Sequence, residues 1–212
     1  MGALELGVPY SDPVMDGPVI QEAAQAALDA GFRLTDVFRA VEAVRARVDA
    51  PVLVMTYWNP VLQYGVDRFA DDLASAGGAG LLTPDVTPDA AADGIAASDR
   101  TGLDRVFLAA PSSTAERLRL VAEASRGFAY AVSTMGITGA RAEMDAAARQ
   151  LVGRMREAGT ERACVGIGIS TPDQVADVLS YADGAIVGSA LVRALATGGV
   201  PELTRLASAL AA

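Results

Sequence analysis

The chain has 212 residues, 51% of them hydrophobic and 20% charged, with 26 acidic against 17 basic side chains for a net charge of -9. That is core material for one large domain or two small ones, with no basic footprint for a nucleic-acid groove. There is no histidine and every basic residue is an arginine, which excludes in-chain imidazole zinc sites, Ser-His-Asp triads, Schiff-base lysines and the Walker A lysine. The single cysteine, Cys164, has no internal disulfide partner, and an interior thiol in a reducing cytoplasm is its expected state. No apolar run reaches about 18 residues and the first residues do not read as a signal peptide, so neither a membrane nor an export route is expected. Proton transfer in such a chain falls to carboxylates, tyrosines, backbone or water.

The chain opens on a strand-like run, Ala3–Leu6, followed by helix-like Val19–Ala30 and Leu34–Val48. Strand-like Val52–Tyr57 precedes helical Val66–Ala76, and Gly80–Thr83 precedes Pro88–Ala97. Then come Arg105–Leu108 with helix Thr114–Ala124, Phe128–Val132 with Glu143–Ala158, and Ala163–Gly166 with Thr171–Tyr181. A last strand, Gly184–Val187, leads to helices Ser189–Thr197 and Pro201–Leu210. Thr114 and Thr171 are expected N-caps, Pro172 suits a first helical turn, and Gly31, Gly77 and Gly159 are expected helix stops. The unbroken apolar strands imply burial on both faces, as in parallel sheets. Strands alternating with helices suggest either a (β/α)8 barrel or an open doubly wound sheet. With no linker or composition break, residues 1–212 read as one domain.

Ligands of parallel α/β folds bind beyond the carboxyl ends of the strands, which directs attention to four places. Glu5 lies inside an apolar strand. Pointing inward it would have a raised pKa suited to acid–base work, and pointing outward it would be a surface carboxylate or an arginine's partner. The long loop after it carries Asp12 and Asp16, which are either functional or helix-capping. Tyr130, on the strand before Ser133-Thr134-Met135-Gly136-Ile137-Thr138-Gly139, either aims its hydroxyl into a site or simply packs. Gly166-Ile167-Gly168-Ile169-Ser170 and Gly188-Ser189 follow the last two strands, where glycine turns and a helix N-terminus either grip a phosphate or only make tight turns. A carboxylate pocket beside a phosphate grip points to proton transfer on a phosphorylated small molecule.

The stretch Glu5-Leu6-Gly7-Val8-Pro9-Tyr10-Ser11-Asp12-Pro13, with Asp16-Gly17-Pro18-Val19-Ile20-Gln21, closely resembles the signature of the tryptophan synthase alpha subunit family. The likeness continues through Met55-Thr56-Tyr57-Trp58-Asn59-Pro60, Gly136-Ile137-Thr138-Gly139, Gly166-Ile167-Gly168-Ile169-Ser170 and Gly188-Ser189-Ala190. The resemblance implies retro-aldol cleavage of indole-3-glycerol phosphate to indole and glyceraldehyde 3-phosphate, the indole ring serving as electron sink. It implies Glu5 as the acid/base group, Asp16 as the partner of the indole N–H, and Tyr130 as a lining residue. Gly139, Gly168, Gly188 and Ser189 match phosphate-binding positions, and Thr138 matches a loop threonine that closes over the substrate. It further implies no cofactor in this chain, since pyridoxal phosphate belongs to a beta subunit partner in an alpha2beta2 assembly. Members of that family carry a helix, a first strand and its helix ahead of the Glu5 motif, where this sequence has Met1-Gly2. The implied fold is therefore a (β/α)8 TIM barrel lacking its first strand and helix, with edges left unpaired at Ala3–Leu6 and Gly184–Val187. Alternative readings are a non-catalytic module that binds a phosphate ligand or the beta subunit, and a stand-alone lyase releasing free indole.

Overall fold

The computed structural model describes residues 2–132, 141–166 and 168–211. They form an α/β chain whose strands are all parallel to their sheet neighbours. Two compact units group the residues, and each holds one four-stranded sheet.

The first unit takes in the described residues up to Met15, then Ala24–Phe107 and Ala124–Gly127. Its sheet runs in the order β1 (Leu4–Gly7), β2 (Val52–Met55), β3 (Gly80–Leu82) and β4 (Asp104–Val106). Ahead of β2 lie α1 (Pro18–Asp29), of which the part from Ala24 onward belongs to this unit, and α2 (Asp36–Arg45), and after it α3 (Trp58–Tyr64), α4 (Val66–Ser75) and α5 (Ala92–Thr101). The core is apolar and assembled from period: Val37, Phe38 and Val41 of α2 and Phe69, Ala70 and Leu73 of α4 meet Val52 and Val54 of β2. Leu4, Leu6 and Val8 pack against the same cluster. Burying a side chain of the size of Phe69 contributes about 1.5–3 kcal/mol, so this one cluster accounts for much of the unit's cohesion.

The second unit comprises Asp16–Ala23, Leu108–Glu123 and the described residues from Phe128 onward. Its sheet runs β5 (Leu108–Ala109), β6 (Ala129–Val132), β7 (Ala163–Gly166) and β8 (Gly184–Ala185). The helices are α6 (Ala115–Ala124), α7 (Arg141–Glu157), α8 (Pro172–Leu179) and α9 (Ser189–Leu210). Ala129, Ala131, Ala163 and Val165 of the strands are fully buried, as are Leu118, Val121, Leu151, Met155 and Val178 of the helices.

Local chemistry explains most boundaries. Thr171 caps α8 in a reciprocal box: its Oγ1 accepts from the Gln174 N–H at 3.4 Å while the Gln174 Oε1 accepts from the Thr171 N–H at 3.2 Å, with Pro172 in the first turn. Thr114 Oγ1 likewise accepts from the Arg117 N–H at 3.2 Å ahead of α6. Gly31, Gly77 and Gly159 adopt positive φ of 90°, 81° and 100° where their helices stop, a conformation that favours glycine. The two expected C-terminal helices form one helical stretch broken at Gly199, whose φ of 64° and ψ of -161° are not helical.

Two expectations are corrected and one helix is added. The single strand Arg105–Leu108 is two strands, β4 and β5, separated by Phe107, because residues 104–106 pair with β3 while 108–109 pair with β6. The helix expected over Pro88–Ala97 is a 3-10 turn at Pro88–Ala90 followed by α5, since Ala91 at φ -104° and ψ 19° leaves the helical region. A helix with no sequence-level expectation, α3, starts at Trp58, whose N–H donates to both carboxylate oxygens of Asp85 at 3.0 Å.

Replacing Thr171 by Ala removes the side-chain half of the capping box. It is expected to cost about 1 kcal/mol of stability, the usual worth of an N-cap, read as a lower urea midpoint with unchanged slope. An unchanged midpoint would contradict the assigned cap.

Candidate active site

In a parallel ladder, neighbouring residues in register point to the same face, and alternate residues along a strand point to opposite faces. In β1 this puts Leu4 and Leu6 on the face packed against the apolar cluster, and Glu5 on the other. Glu5 pairs in register with Leu53, which pairs with Gly80. Burial pushes the Glu5 carboxyl up from 4.5 to about 7. Glu5 is nonetheless exposed to solvent, so it is the protein crowded around the carboxyl, and not enclosure, that raises the value. Of the two orientations open in the sequence, Glu5 takes the one away from the helices packed on Leu4 and Leu6.

The loop after β1 is anchored by the segment after β2. The Val8 N–H extends the ladder to the Met55 carbonyl at 2.9 Å. The rings of Tyr10 and Tyr57 lie 5.2 Å apart, centroid to centroid. Tyr57 is buried, and its hydroxyl oxygen accepts from the Met15 N–H at 2.9 Å. Asn59 Nδ2 donates to the Tyr10 hydroxyl at 3.1 Å. Asp12 is exposed and takes a hydrogen bond from the Ser11 hydroxyl at 2.7 Å. The half-buried Asp16 sits just ahead of α1, and its main-chain oxygen accepts from Gln21 Nε2 at 2.8 Å. None of these loop anchors was singled out from the sequence. Tyr10, Tyr57 and Asn59 all stand in recognisable motifs, but nothing in their spacing shows that they meet.

In the second unit the same alternation places Tyr130, Cys164 and Gly184, which share a register row, opposite the buried Ala131 and Val165. Tyr130 is half-buried. Its hydroxyl occupies the space above Gly166, where a Cβ would come within 2.1 Å of the oxygen. Glycine is thus required at 166 for the tyrosine to lie as it does. Burial, with the Asp183 carboxylate adding to it, pushes the Cys164 thiol up to about 11, so it stays protonated and unreactive, in keeping with an interior thiol.

Gly168 and Gly188 follow β7 and β8, which are neighbours in the ladder, so both turns leave the carboxyl edge of one sheet. Gly168 has a φ of 71°, Ile169 is buried beneath the turn, and Gln174 Oε1 holds it by accepting from the Ser170 N–H at 2.7 Å. Gly188 is the N-cap of α9 and has no side chain to cap it, leaving the first N–H groups of Ser189 and Ala190 available to an anion. Thr138 and Gly139 lie outside the described residues. Among the described residues no cluster of acidic, cysteine or histidine side chains is arranged to hold a metal ion, and no helix is long and apolar enough to cross a membrane.

Parallel strands alternating with helices in both units define an α/β fold of the (β/α)8 barrel class. The family model for the tryptophan synthase alpha chain matches residues 1–209. A tryptophan synthase alpha chain from Leifsonia xyli subsp. xyli is 72% identical over 208 residues, spanning 98% of this chain and 80% of the relative. That of Mycobacterium avium is 57% identical over 209 residues, 99% of this chain and 77% of the relative. Among solved structures, a chain of Mycobacterium tuberculosis tryptophan synthase superposes with a TM-score of 0.93 at 55% identity, covering 99% of this chain and 80% of that one. A chain of the Pyrococcus furiosus tryptophan synthase complex gives 0.89 at 33% identity, covering 99% and 86%. The chain belongs to the tryptophan synthase alpha chain family.

The raised Glu5 pKa also acts on stability. The folded state holds this proton more tightly than the unfolded chain, so the group's contribution is full below about 4.5 and is lost as pH rises through about 7. E5Q cannot ionise. The melting temperature of E5Q minus that of the parent is therefore expected to grow between roughly pH 5 and 8, and a flat difference would contradict the shift.

Proposed function

We propose that Glu5 and Asp16 carry the lyase reaction of this alpha chain, the retro-aldol cleavage of indole-3-glycerol phosphate to indole and glyceraldehyde 3-phosphate in tryptophan biosynthesis. The observation that carries the reading is the placement of Glu5 on the face of β1 away from the apolar cluster, where crowding raises its carboxyl to about 7, because one group with a pKa near neutrality can both give and take a proton. Glu5 protonates indole C3, converting the ring to a cationic indolenine. It then assists removal of the proton from the adjacent glycerol hydroxyl. The C–C bond breaks, the hydroxyl carbon becomes the aldehyde, the bonding pair forms the C2=C3 double bond, and the C2=N π pair returns to the nitrogen, restoring indole. Asp16 accepts the indole N–H and offsets the positive charge while it exists. Tyr130 lines the ring site, and Thr138 closes its loop over the substrate. The backbone N–H groups at Gly139, Gly168, Gly188 and Ser189 hold the phosphate.

The indole ring is itself the electron sink, so this half of the chemistry needs no cofactor in the chain. Pyridoxal phosphate belongs to the beta subunit, the partner in an alpha2beta2 assembly to which indole is passed, and the reaction is placed in the cytoplasm. Two observations support these assignments: in the first unit Glu5 stands on β1, and in the second unit the glycine turns follow β7 and β8, which neighbour each other.

The test is indole release from indole-3-glycerol phosphate by this chain, with and without a beta subunit. E5Q is expected to lose a factor on the order of 10²–10⁴ in turnover, and D16N about 10², while both keep their affinity for glycerol phosphate. Loss of ligand affinity matching the loss of rate would remove Glu5 from proton transfer, and an unchanged D16N rate would remove Asp16 from charge stabilisation.

A further inference from the structure

Asp16 ends a loop of eight residues after Val8, and most of that loop is made of residues that do not hold their own shape. Pro9, Pro13 and Gly17 break regular structure, the Ser11 hydroxyl donates to its neighbour Asp12, and Val14 is 79% exposed. A carboxylate that must meet a single N–H needs better placement than such a loop supplies, since a displacement of an ångström is costly in rate. The structure holds the backbone on both sides of Asp16: Gln21 Nε2 donates to the Asp16 main-chain oxygen at 2.8 Å, and the residue before Asp16 is tied to a distant side chain. The Met15 N–H donates to the hydroxyl of Tyr57 at 2.9 Å, across 42 residues of sequence.

Tyr57 is well suited to hold it. It is 4% exposed, so its ring cannot swing, and its bond to Met15 is sheltered from competing water. The Tyr10 ring packs on it at 5.2 Å, and Asn59 Nδ2 fixes the Tyr10 hydroxyl at 3.1 Å. The backbone bearing Tyr57 and Asn59 is itself held, because Asp85 takes the Trp58 N–H at 3.0 Å. A chain of contacts therefore runs from the loop after β3, through the start of α3, to both ends of the loop after β1.

We propose that Tyr57 is a positioning residue for the lyase reaction: its hydroxyl fixes the Met15 peptide and thereby the direction in which the next residue, Asp16, carries its carboxylate. The inference rests on the reading of Asp16 given above. It assigns Tyr57 no contact with the substrate. Its contribution passes through Asp16, so it acts on the step in which the indolenine charge is present and not on phosphate binding.

The experiment is a double-mutant cycle with Tyr57→Phe and Asp16→Asn, measured as kcat and KM for indole release in the presence of the beta subunit. Phe keeps the ring and its packing and removes only the hydroxyl. Y57F is expected to lower kcat about tenfold, the scale of one lost hydrogen bond, with KM little changed. In the D16N background the same substitution is expected to have no further effect on kcat, because the group it positions is already disabled. An equal loss in both backgrounds, or no loss in either, would overturn the proposal while leaving the Asp16 reading intact. A D16N rate equal to the parent's would instead overturn the Asp16 reading and this inference with it. A measurement on the unmodified chain gives an independent check that no folding defect can obscure. The Met15 amide is expected to be protected from hydrogen exchange, unlike its neighbour Val14, and exchange of Met15 at the rate of an open loop would overturn the proposal.

Discussion

Every side chain assigned a role on a strand owes its position to the two-faced geometry of parallel strands. Leu4 and Leu6 lock β1 onto the apolar cluster of α2, α4 and β2, and Glu5 between them has no choice but the opposite face. The same rule holds where Ala129 and Ala131 are buried and Tyr130 is not, and where Ala163 and Val165 flank Cys164. A slip of one residue would turn Glu5 into the apolar cluster and its leucines outward. The stability of the core and the direction of the carboxylate are one and the same constraint.

Glycine completes that geometry at the points where side chains crowd one face. A Cβ at Gly166 would meet the Tyr130 hydroxyl at 2.1 Å, and one at Gly184 would meet the Cys164 sulfur at 2.6 Å. These glycines are set by their neighbours across the ladder. Gly168, at a φ of 71°, is set by its own backbone. A run that looks uniform in sequence, Gly166-Ile167-Gly168, therefore contains glycines required for two different physical reasons.

Features whose causes are local could be read from the sequence. The N-cap Thr171 with Pro172 behind it and the glycine stops at 31, 77 and 159 depend on residues a few positions apart, and they stand where expected; the reciprocal bond from Gln174 completes that cap. Features set by distant partners could not. The helix α3 begins at Trp58 because Asp85 caps it from 27 residues away, and Pro60 in its first turn reads as a breaker when the cap is not known. The strand over 104–109 divides because its two halves pair with different strands. Glu5 stood out as a carboxylate in an apolar run, but whether it is desolvated depends on packing that periodicity does not specify. Tyr57 gave no signal beyond its motif, since its partners Tyr10 and Met15 are brought to it only by the fold. The expected Thr138 and Gly139 lie outside the described residues.

The account turns on one carboxyl group, and the most direct test is to titrate it. Infrared difference spectroscopy of the parent chain against E5Q isolates the Glu5 carboxyl stretch from those of the other acidic residues. The account predicts that the protonated band disappears with a midpoint near 7, in line with the desolvated setting of the group. A midpoint in the ordinary glutamate range near 4.5 would contradict it, because Glu5 would then be an ionised surface carboxylate with no proton to give to indole at neutral pH.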